Sequence, residues 1–329
     1  MLHYKIKDLT VPELHQLLLG GIAPRPIALV STISKDGVNN LSPFSFFNAF
    51  GVNPPVVAFS PARRGRDASL KDTYNNLIST KECVVQAVTY SMVEQISLAS
   101  TEYPAGVNEF VKSGLTPIES DIVKPKRVKE SPFQMECELV DMKSYGESGG
   151  SANMAICEIL KLHVAEDIFT DGIIDPQKID LIARMSGNYY CRANGKAIFE
   201  VEKPLMNIGI GYDQLPDFIK LSEVYSANNL AKFGNAASIP DDVKVKDFIT
   251  EIANIDTEGF EISEEAFYRY ERLSNYKYMM KASLQFNKEN HPKSKYFIEI
   301  TAKCALENND TDFAWKAAIC KEKIDDHSW

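Results

Sequence analysis

The sequence predicts a mainly β, barrel-like domain with short helices, followed by a helical C-terminal region. Three observations carry this. Six or seven short apolar runs separated by turn residues fill the first two thirds of the chain, which suits a barrel better than a doubly wound sheet. After Pro204 the apolar spacing changes to the helical period in four longer segments. There is no low-complexity tract and no repeat of solenoid length, so both regions read as packed structure.

The elements follow in order. Residues 27–33 are an apolar run, Lys35-Asp36-Gly37 supplies turn residues that tolerate positive φ, and 38–47 returns, predicting a hairpin. Further strands are expected over 56–60, 83–89, 133–142, 154–164 and 197–202. Short helices interrupt them. Ser69 with Asp72, and Ser91 with Glu94, fit N-terminal capping. A helix over 107–113 ends on Gly114, and Asp175-Pro176 opens one reaching about Met185. The glycine-rich loop 145–150 joins two strands and is expected to be mobile. Beyond the boundary, which gives domains 1–205 and 206–329, helices are predicted over 242–255, 264–280, 296–306 and 312–324. In the last, Phe313, Ala317 and Cys320 share one stripe while Trp315 and Ile319 form a second.

At 329 residues the chain can bury a sizeable core, and its 44% apolar and 25% charged residues are ordinary for a soluble globular protein. The net charge of -9 opposes a nucleic-acid role. No run approaches the ~18 apolar residues of a membrane span, and the first residues lack a signal-peptide core, so a cytoplasmic protein without membrane association is expected. The 6 cysteines and 5 histidines are dispersed without ligand spacing, predicting reduced, partly strand-buried thiols and no metal site. His163, late in a strand, reads as structural.

Residues 24–73 concentrate the candidate chemistry. Arg63, Arg64, Arg66, Ser69, Lys71 and Thr73 place guanidinium groups, hydroxyls and a helix start within 11 residues of an otherwise acidic chain. Such a set can hold a phosphate, although a solvated charged loop is the commoner meaning of a charge run. In Pro43-Phe44-Ser45-Phe46-Phe47-Asn48-Ala49, strand alternation would send Phe44 and Phe46 to one face and Ser45 and Phe47 to the other. Arg25, fixed between two prolines, suits either a carboxylate partner or a ligand. Gly209-Ile-Gly211 lacks the third glycine of a dinucleotide fingerprint, and neither a Gly-x-Ser-x-Gly elbow nor a P-loop is present.

Taken together, Pro24-Arg25-Pro26, the strand ending in Ser31-Thr32, the 43–49 turn, Arg63-Arg64 and Lys71-Asp72-Thr73 resemble the flavin reductase-like family, whose fold is the FMN-binding split β-barrel. The resemblance spans about residues 10–205, and residues 206–235 look like an extension found on longer members. It implies a phosphate anchor at Arg63, Arg64, Lys71, Asp72 and Thr73. It further implies flavin contacts from Arg25, Ser31, Thr32, Ser45, Phe47, Asn48, Ala49 and Ser60. Arg184, Tyr189 and Tyr190 match the closing Arg-x-x-Gly-x-x-Tyr block, which implies contact with a second substrate or nicotinamide. The implied activity is an FMN-dependent NAD(P)H:flavin oxidoreductase, passing hydride to flavin N5 and electrons onward to free flavin, a partner oxygenase or another acceptor. No catalytic acid or base is required of the protein, because the cofactor carries the chemistry. A homodimer is implied as well. The alternative is a flavin-binding carrier whose helical tail recruits a partner, with Tyr268, Tyr270, Tyr276 and Tyr278 as the aromatic surface; a pyridoxal-phosphate or haem-binding split barrel fits the motifs less well.

Overall fold

Thr10 starts the first helix, α1 (Val11–Gly21), by accepting from the Glu13 N–H while the Glu13 carboxylate accepts from the Thr10 N–H, a capping box with Pro12 in the first turn. The sequence expectations contain no helix here. The computed structural model describes residues 1–201, 208–256 and 259–324, and the chain divides into two compact units, Met1–Glu200 and Val201–Trp329. The expected boundary between 205 and 206 lies outside the described residues.

The first unit is built on one seven-stranded antiparallel sheet: β1 (Ala28–Ile33), β2 (Asn39–Phe44), β3 (Phe47–Val52), β4 (Pro55–Phe59), β5 (Glu82–Gln86), β6 (Phe133–Ser144) and β7 (Asn153–Val164). Their order is β2-β1-β5-β6-β7-β4-β3. The two outermost strands, β2 and β3, are therefore consecutive in the chain and joined only by Ser45 and Phe46. A two-residue link can bridge opposite edges only if the sheet curls until they meet, which makes the sheet a split barrel. The interior follows the pleat: Ala28 and Val30, Val57 and Phe59, Cys83 and Val85, Met135, Cys137 and Leu139, and Ala155 and Cys157 all point inward. Cys83 and Cys157 are free thiols with sulfurs 3.9 Å apart.

The opposite face of β1 is covered too. Leu29 packs with Leu41, Met92, Ile96 and Phe110, the last two from helices α3 (Val93–Ala99) and α4 (Glu109–Ser113). Burial on both faces explains why 27–33 reads as an unbroken apolar run. Helix α4 ends at Gly114 in the left-handed region (φ 68), as expected.

Several expectations are corrected. Strand β2 stops at Phe44, because Ser45-Phe46 turns the corner of the barrel instead of continuing the alternation. Helix α2 (Asp72–Thr80) takes Lys71 as its N-cap; Ser69 instead donates to Asp67 Oδ1 at 2.5 Å. Ser91 pairs with Thr89 at 2.9 Å between the hydroxyls, so the capping box with Glu94 does not form. The helix opened by Asp175-Pro176 lasts only over Pro176–Ile179, since burial of Ile182 and its bond to the Val88 carbonyl draw Ile182–Arg184 into a strand. That strand pairs with Arg25–Pro26 and Tyr190–Arg192 in a small sheet. Residues 198–201 form no strand, and residue 202 lies outside the described residues. Loop 145–150 is tied down at its end: Gly150 N–H donates to Arg63 O at 3.1 Å, and Arg63 N–H returns a bond to Ser151 O at 3.0 Å. A Cβ at Gly149 would lie 2.5 Å from the Gly65 carbonyl oxygen, so only glycine permits this approach.

The second unit is helical: α5 (Ala227–Gly234), α6 (Asp242–Ala253), α7 (Glu264–Arg272), α8 (Tyr276–Lys288), α9 (Ser294–Glu307) and α10 (Thr311–Lys323). The helix expected over 264–280 is two, broken where Ser274 adopts φ 53 and Asn275 caps α8 by accepting from Tyr278 N–H. Helix α10 is a core helix, with Phe313, Trp315, Ala317, Ile319 and Cys320 all buried, and Trp315 Nε1 donates to Phe233 O at 3.1 Å. Tyr270 stacks on Phe260, Tyr278 meets Tyr270, Tyr276 meets Phe313 and Tyr268 meets Phe267 and Phe297 edge-on, so all four tail tyrosines make internal ring contacts. Among the described residues, no helix is long and apolar enough to cross a membrane.

Candidate functional site

The barrel's corner and the strands beside it wall a cleft of about 610 Å³. Ile22, Phe46, Phe47, Phe50 and Met154 give it an apolar lining, into which Ser45, Asn48 and Ser60 bring polar atoms. Phe47 also packs against the barrel core, so it serves both surfaces. Ser60 Oγ is buried without a hydrogen-bond partner. Asn48 Oδ1 accepts from the N–H of Ala49, both residues being exposed on the edge strand β3.

Arg25 also lines the cleft but is 4% exposed, and its guanidinium is committed elsewhere. Nη1 donates to the Leu19 and Ile22 carbonyls at 2.7 and 2.6 Å, Nη2 donates to Met185 O at 2.9 Å, and Nε reaches Ser45 Oγ at 3.5 Å. It thus clamps the end of α1 and the small sheet to the barrel, with carbonyls where the sequence suggested a carboxylate or a ligand. Burial, with the nearby Arg184, holds its pKa below the usual guanidinium range. Arg25→Met strands three carbonyls and is expected to cost about 3 kcal/mol, read as a lower midpoint in urea unfolding.

Ser31 and Thr32 line neither the cleft nor the depression at the start of α2 and have no exposed surface. Ser31 Oγ donates to Lys126 O at 2.5 Å, while Thr32 Oγ1 accepts from Asn40 and Asn76 Nδ2, each at 3.0 Å. Asn40 Nδ2 also donates to Thr73 Oγ1 at 3.0 Å. This buried network fixes the first turn of α2 against β1 and β2. The hydroxyls expected at the ligand are consumed by the fold, leaving Ser31 and Thr32 as supports.

A second, polar depression opens at the start of α2, bordered by Arg64, Lys71, Asp72, Thr73 and Glu102. The helix has no side-chain cap, so side chains leave its first N–H groups unclaimed and its positive dipole end borders the depression. Arg63 Nη1 donates to Ala68 O at 2.9 Å, and Arg64 Nη1 donates to Leu70 O at 2.6 Å and Ser69 Oγ at 3.3 Å. The Nε of each arginine is buried without a hydrogen-bond partner. Arg66, by contrast, is exposed and paired with Asp67 at 3.0 Å. Burial lowers the pKa of Lys71, with Glu102 opposing and Arg64 adding to the effect.

Three orphaned buried polar atoms (Ser60 Oγ, Arg63 Nε and Arg64 Nε) therefore lie on the stretch 60–64 that connects the apolar cleft to the polar depression. Four residues of chain span at most about 14 Å. The donor set suits a ligand with a broad apolar body and an anionic end, which is what a flavin mononucleotide presents. Arg184 lies one strand from Arg25, with its guanidinium 4.5 Å from the Tyr190 ring centroid and Nη1 donating to Tyr189 O at 3.3 Å; Tyr189 is 76% exposed.

Sequence reasoning gives Glu102 and Glu109 no role. Glu109 is buried, accepts from Leu41 N–H at 3.0 Å, and has its pKa pushed up by that burial. The block from Glu102 to Glu109 contains turn residues but gives no local sign that it folds over α2.

Asp121, Glu136 and His163 converge with ligand-type atoms within 4.8 Å of one another. Glu136 already accepts from the N–H groups of Asp121, Ile122 and Val123 and from His163 Nε2, at 2.6–3.0 Å. All four lone-pair positions of its carboxylate are used, and Lys161 neutralises Asp121 at 2.5 Å. The cluster is structural.

Comparison with known proteins agrees with this architecture. A family model described as a flavin reductase like domain matches residues 20–181. An uncharacterized protein of Aquifex aeolicus is 37% identical over 201 residues, covering 61% of this chain and 100% of that protein. The crystal structure of nitrilotriacetate monooxygenase component B from Bacillus cereus superposes with a TM-score of 0.57 at 33% identity, covering 61% of this chain and 98% of that one. The 2-nitrobenzoate 2-nitroreductase NbaA of Pseudomonas fluorescens shares the fold, with a TM-score of 0.55 at 24% identity over 63% of this chain and 100% of its own. The chain belongs to the flavin reductase-like family, with a helical region beyond the family domain.

Proposed function

We propose that this member of the flavin reductase-like family binds FMN in the cleft and depression of its barrel and uses it to oxidise NADH or NADPH. The observation that carries this reading is the line of unsatisfied buried donors at Ser60, Arg63 and Arg64 between an apolar cleft and an uncapped helix start. Bound FMN would supply the hydride-accepting and electron-donating chemistry. Arg63, Arg64, Lys71 and the first N–H groups of α2, at Asp72 and Thr73, would neutralise the phosphate. Ser45, Asn48, Ala49 and Ser60 would meet the polar edge of the ring system, with Phe47 supporting its apolar face. Arg184, Tyr189 and Tyr190 would orient the nicotinamide donor, a matter of alignment since hydride transfer asks no acid or base of the protein.

The final acceptor would be free flavin or a partner oxygenase, the latter suggested by a relative named as the B component of a monooxygenase. We place the catalytic module in residues 1–205 of a homodimer, with 206–329 as an appended domain. Anaerobic stopped-flow mixing with NADH or NADPH tests the activity: flavin absorbance should bleach within seconds, more slowly for Lys71→Ala at subsaturating FMN. Stoichiometric flavin that neither nucleotide bleaches would replace this reading with the carrier alternative.

A further inference from the structure

Glu102, in the irregular segment between α3 and α4, faces three cations at once. Its Oε1 lies 3.8 Å from Arg64 Nε and its Oε2 lies 3.5 Å from Arg66 Nη1, and its charge also acts on Lys71. Both separations exceed the ~2.8 Å of a charge-assisted hydrogen bond. The side chain remains 40% exposed, while Arg64 Nε beneath it is buried without a hydrogen-bond partner. Asp67, the other carboxylate near Arg66, gives its Oδ1 to the N–H and hydroxyl of Ser69 and its Oδ2 to Arg66 Nε at 3.0 Å, so it does not reach Arg64 or Lys71. Glu102 is thus a loosely held carboxylate shared by Arg64, Arg66 and Lys71, with Asp67 also on Arg66 and Asp72 also acting on Lys71.

An incoming dianionic phosphate cannot occupy Arg64 and Lys71 beside that carboxylate without strong like-charge repulsion. We propose that Glu102 is a resident counter-ion that a ligand phosphate displaces, so that it sets the affinity of the site for phosphate-bearing ligands. This rests on the reading of Arg64 and Lys71 as the phosphate anchor. A flavin lacking the phosphate leaves Glu102 in place. Residues 101–108 carry no regular secondary structure, so its withdrawal need break no helix or strand.

The test compares the full chain with Glu102→Gln and Glu102→Ala in titrations with FMN, riboflavin and inorganic phosphate, the last by calorimetry. Both variants should bind FMN and inorganic phosphate about fivefold more tightly, the scale of one part-exposed charge interaction, with riboflavin changed by less than about twofold. FMN and phosphate affinities that are unchanged would overturn the proposal. Weakened affinities would also overturn it, making Glu102 a support that orients Arg64. If the parent chain fails to bind FMN while the variants still bind inorganic phosphate more tightly, the flavin reading falls and the counter-ion role stands. If neither ligand binds, both fall.

Discussion

Arg64→Ala is expected to weaken FMN binding by about a hundredfold while changing riboflavin binding by less than about threefold. The asymmetry follows from where the side chain spends its donors. Nη1 is committed to Leu70 O and Ser69 Oγ and thereby shapes the segment entering α2, whereas Nε is buried and has no acceptor. Desolvating a guanidinium edge without a partner is costly, and a phosphate oxygen supplies the missing acceptor in a charge-assisted bond of about 1.5–3 kcal/mol. The variant loses that bond and the positioning of Lys71 together. Arg66→Ala is the control: this side chain is exposed, its Nε is paired with Asp67 and its contact with Glu102 is a long 3.5 Å, so its removal should shift FMN affinity by less than about threefold. Fluorescence titrations of both ligands decide the matter. Equal losses for FMN and riboflavin would assign Arg64 to loop structure alone.

What the sequence could and could not show follows from the range of each interaction. Strands β1 and β4 to β7 were legible because inward residues recur every second position, or fill both faces of a strand buried on both sides. The corner at Ser45-Phe46 was not, because two consecutive strands at opposite sheet edges look locally like one strand continuing. Helix α1 carries a legible signal, Thr10 with Pro12 and Glu13. The break at Ser274-Asn275 has neither glycine nor proline to announce it. In the site, Arg63, Arg64 and Lys71 stood out because they are close in sequence. The partners of Arg25 are not legible because they are backbone carbonyls, one of them 160 residues away, and carbonyls leave no mark on side-chain identity. The Glu136–His163 pair, 27 residues apart, was hidden for the same reason: only the pairing of β6 with β7 brings it together.

That pair carries the second large effect. Glu136 is 0% exposed, and burial pushes its carboxyl pKa up, but the N–H of Asp121, then His163, Val123 and Ile122, outweigh burial and hold it down, from 4.5 to about 2. A depressed folded-state pKa means that the unfolded chain binds the proton first as pH falls. The stabilisation is therefore complete above the unfolded-state value near 4.5 and is lost as pH falls towards 2. A shift of this size corresponds to about 3 kcal/mol at neutral pH. Glu136→Gln resembles the protonated acid, with one acceptor oxygen and one donor group facing N–H donors that want acceptors. The variant should accordingly be about 3 kcal/mol less stable in urea at pH 7, and the gap should close as pH falls from about 4.5 towards 2. Glu138→Gln, on the same strand but exposed, should stay within about 0.5 kcal/mol of the parent throughout. A Glu136→Gln deficit that held constant across that pH range would mean that side-chain packing, and not the anionic carboxylate, anchors residues 121–123 to the barrel.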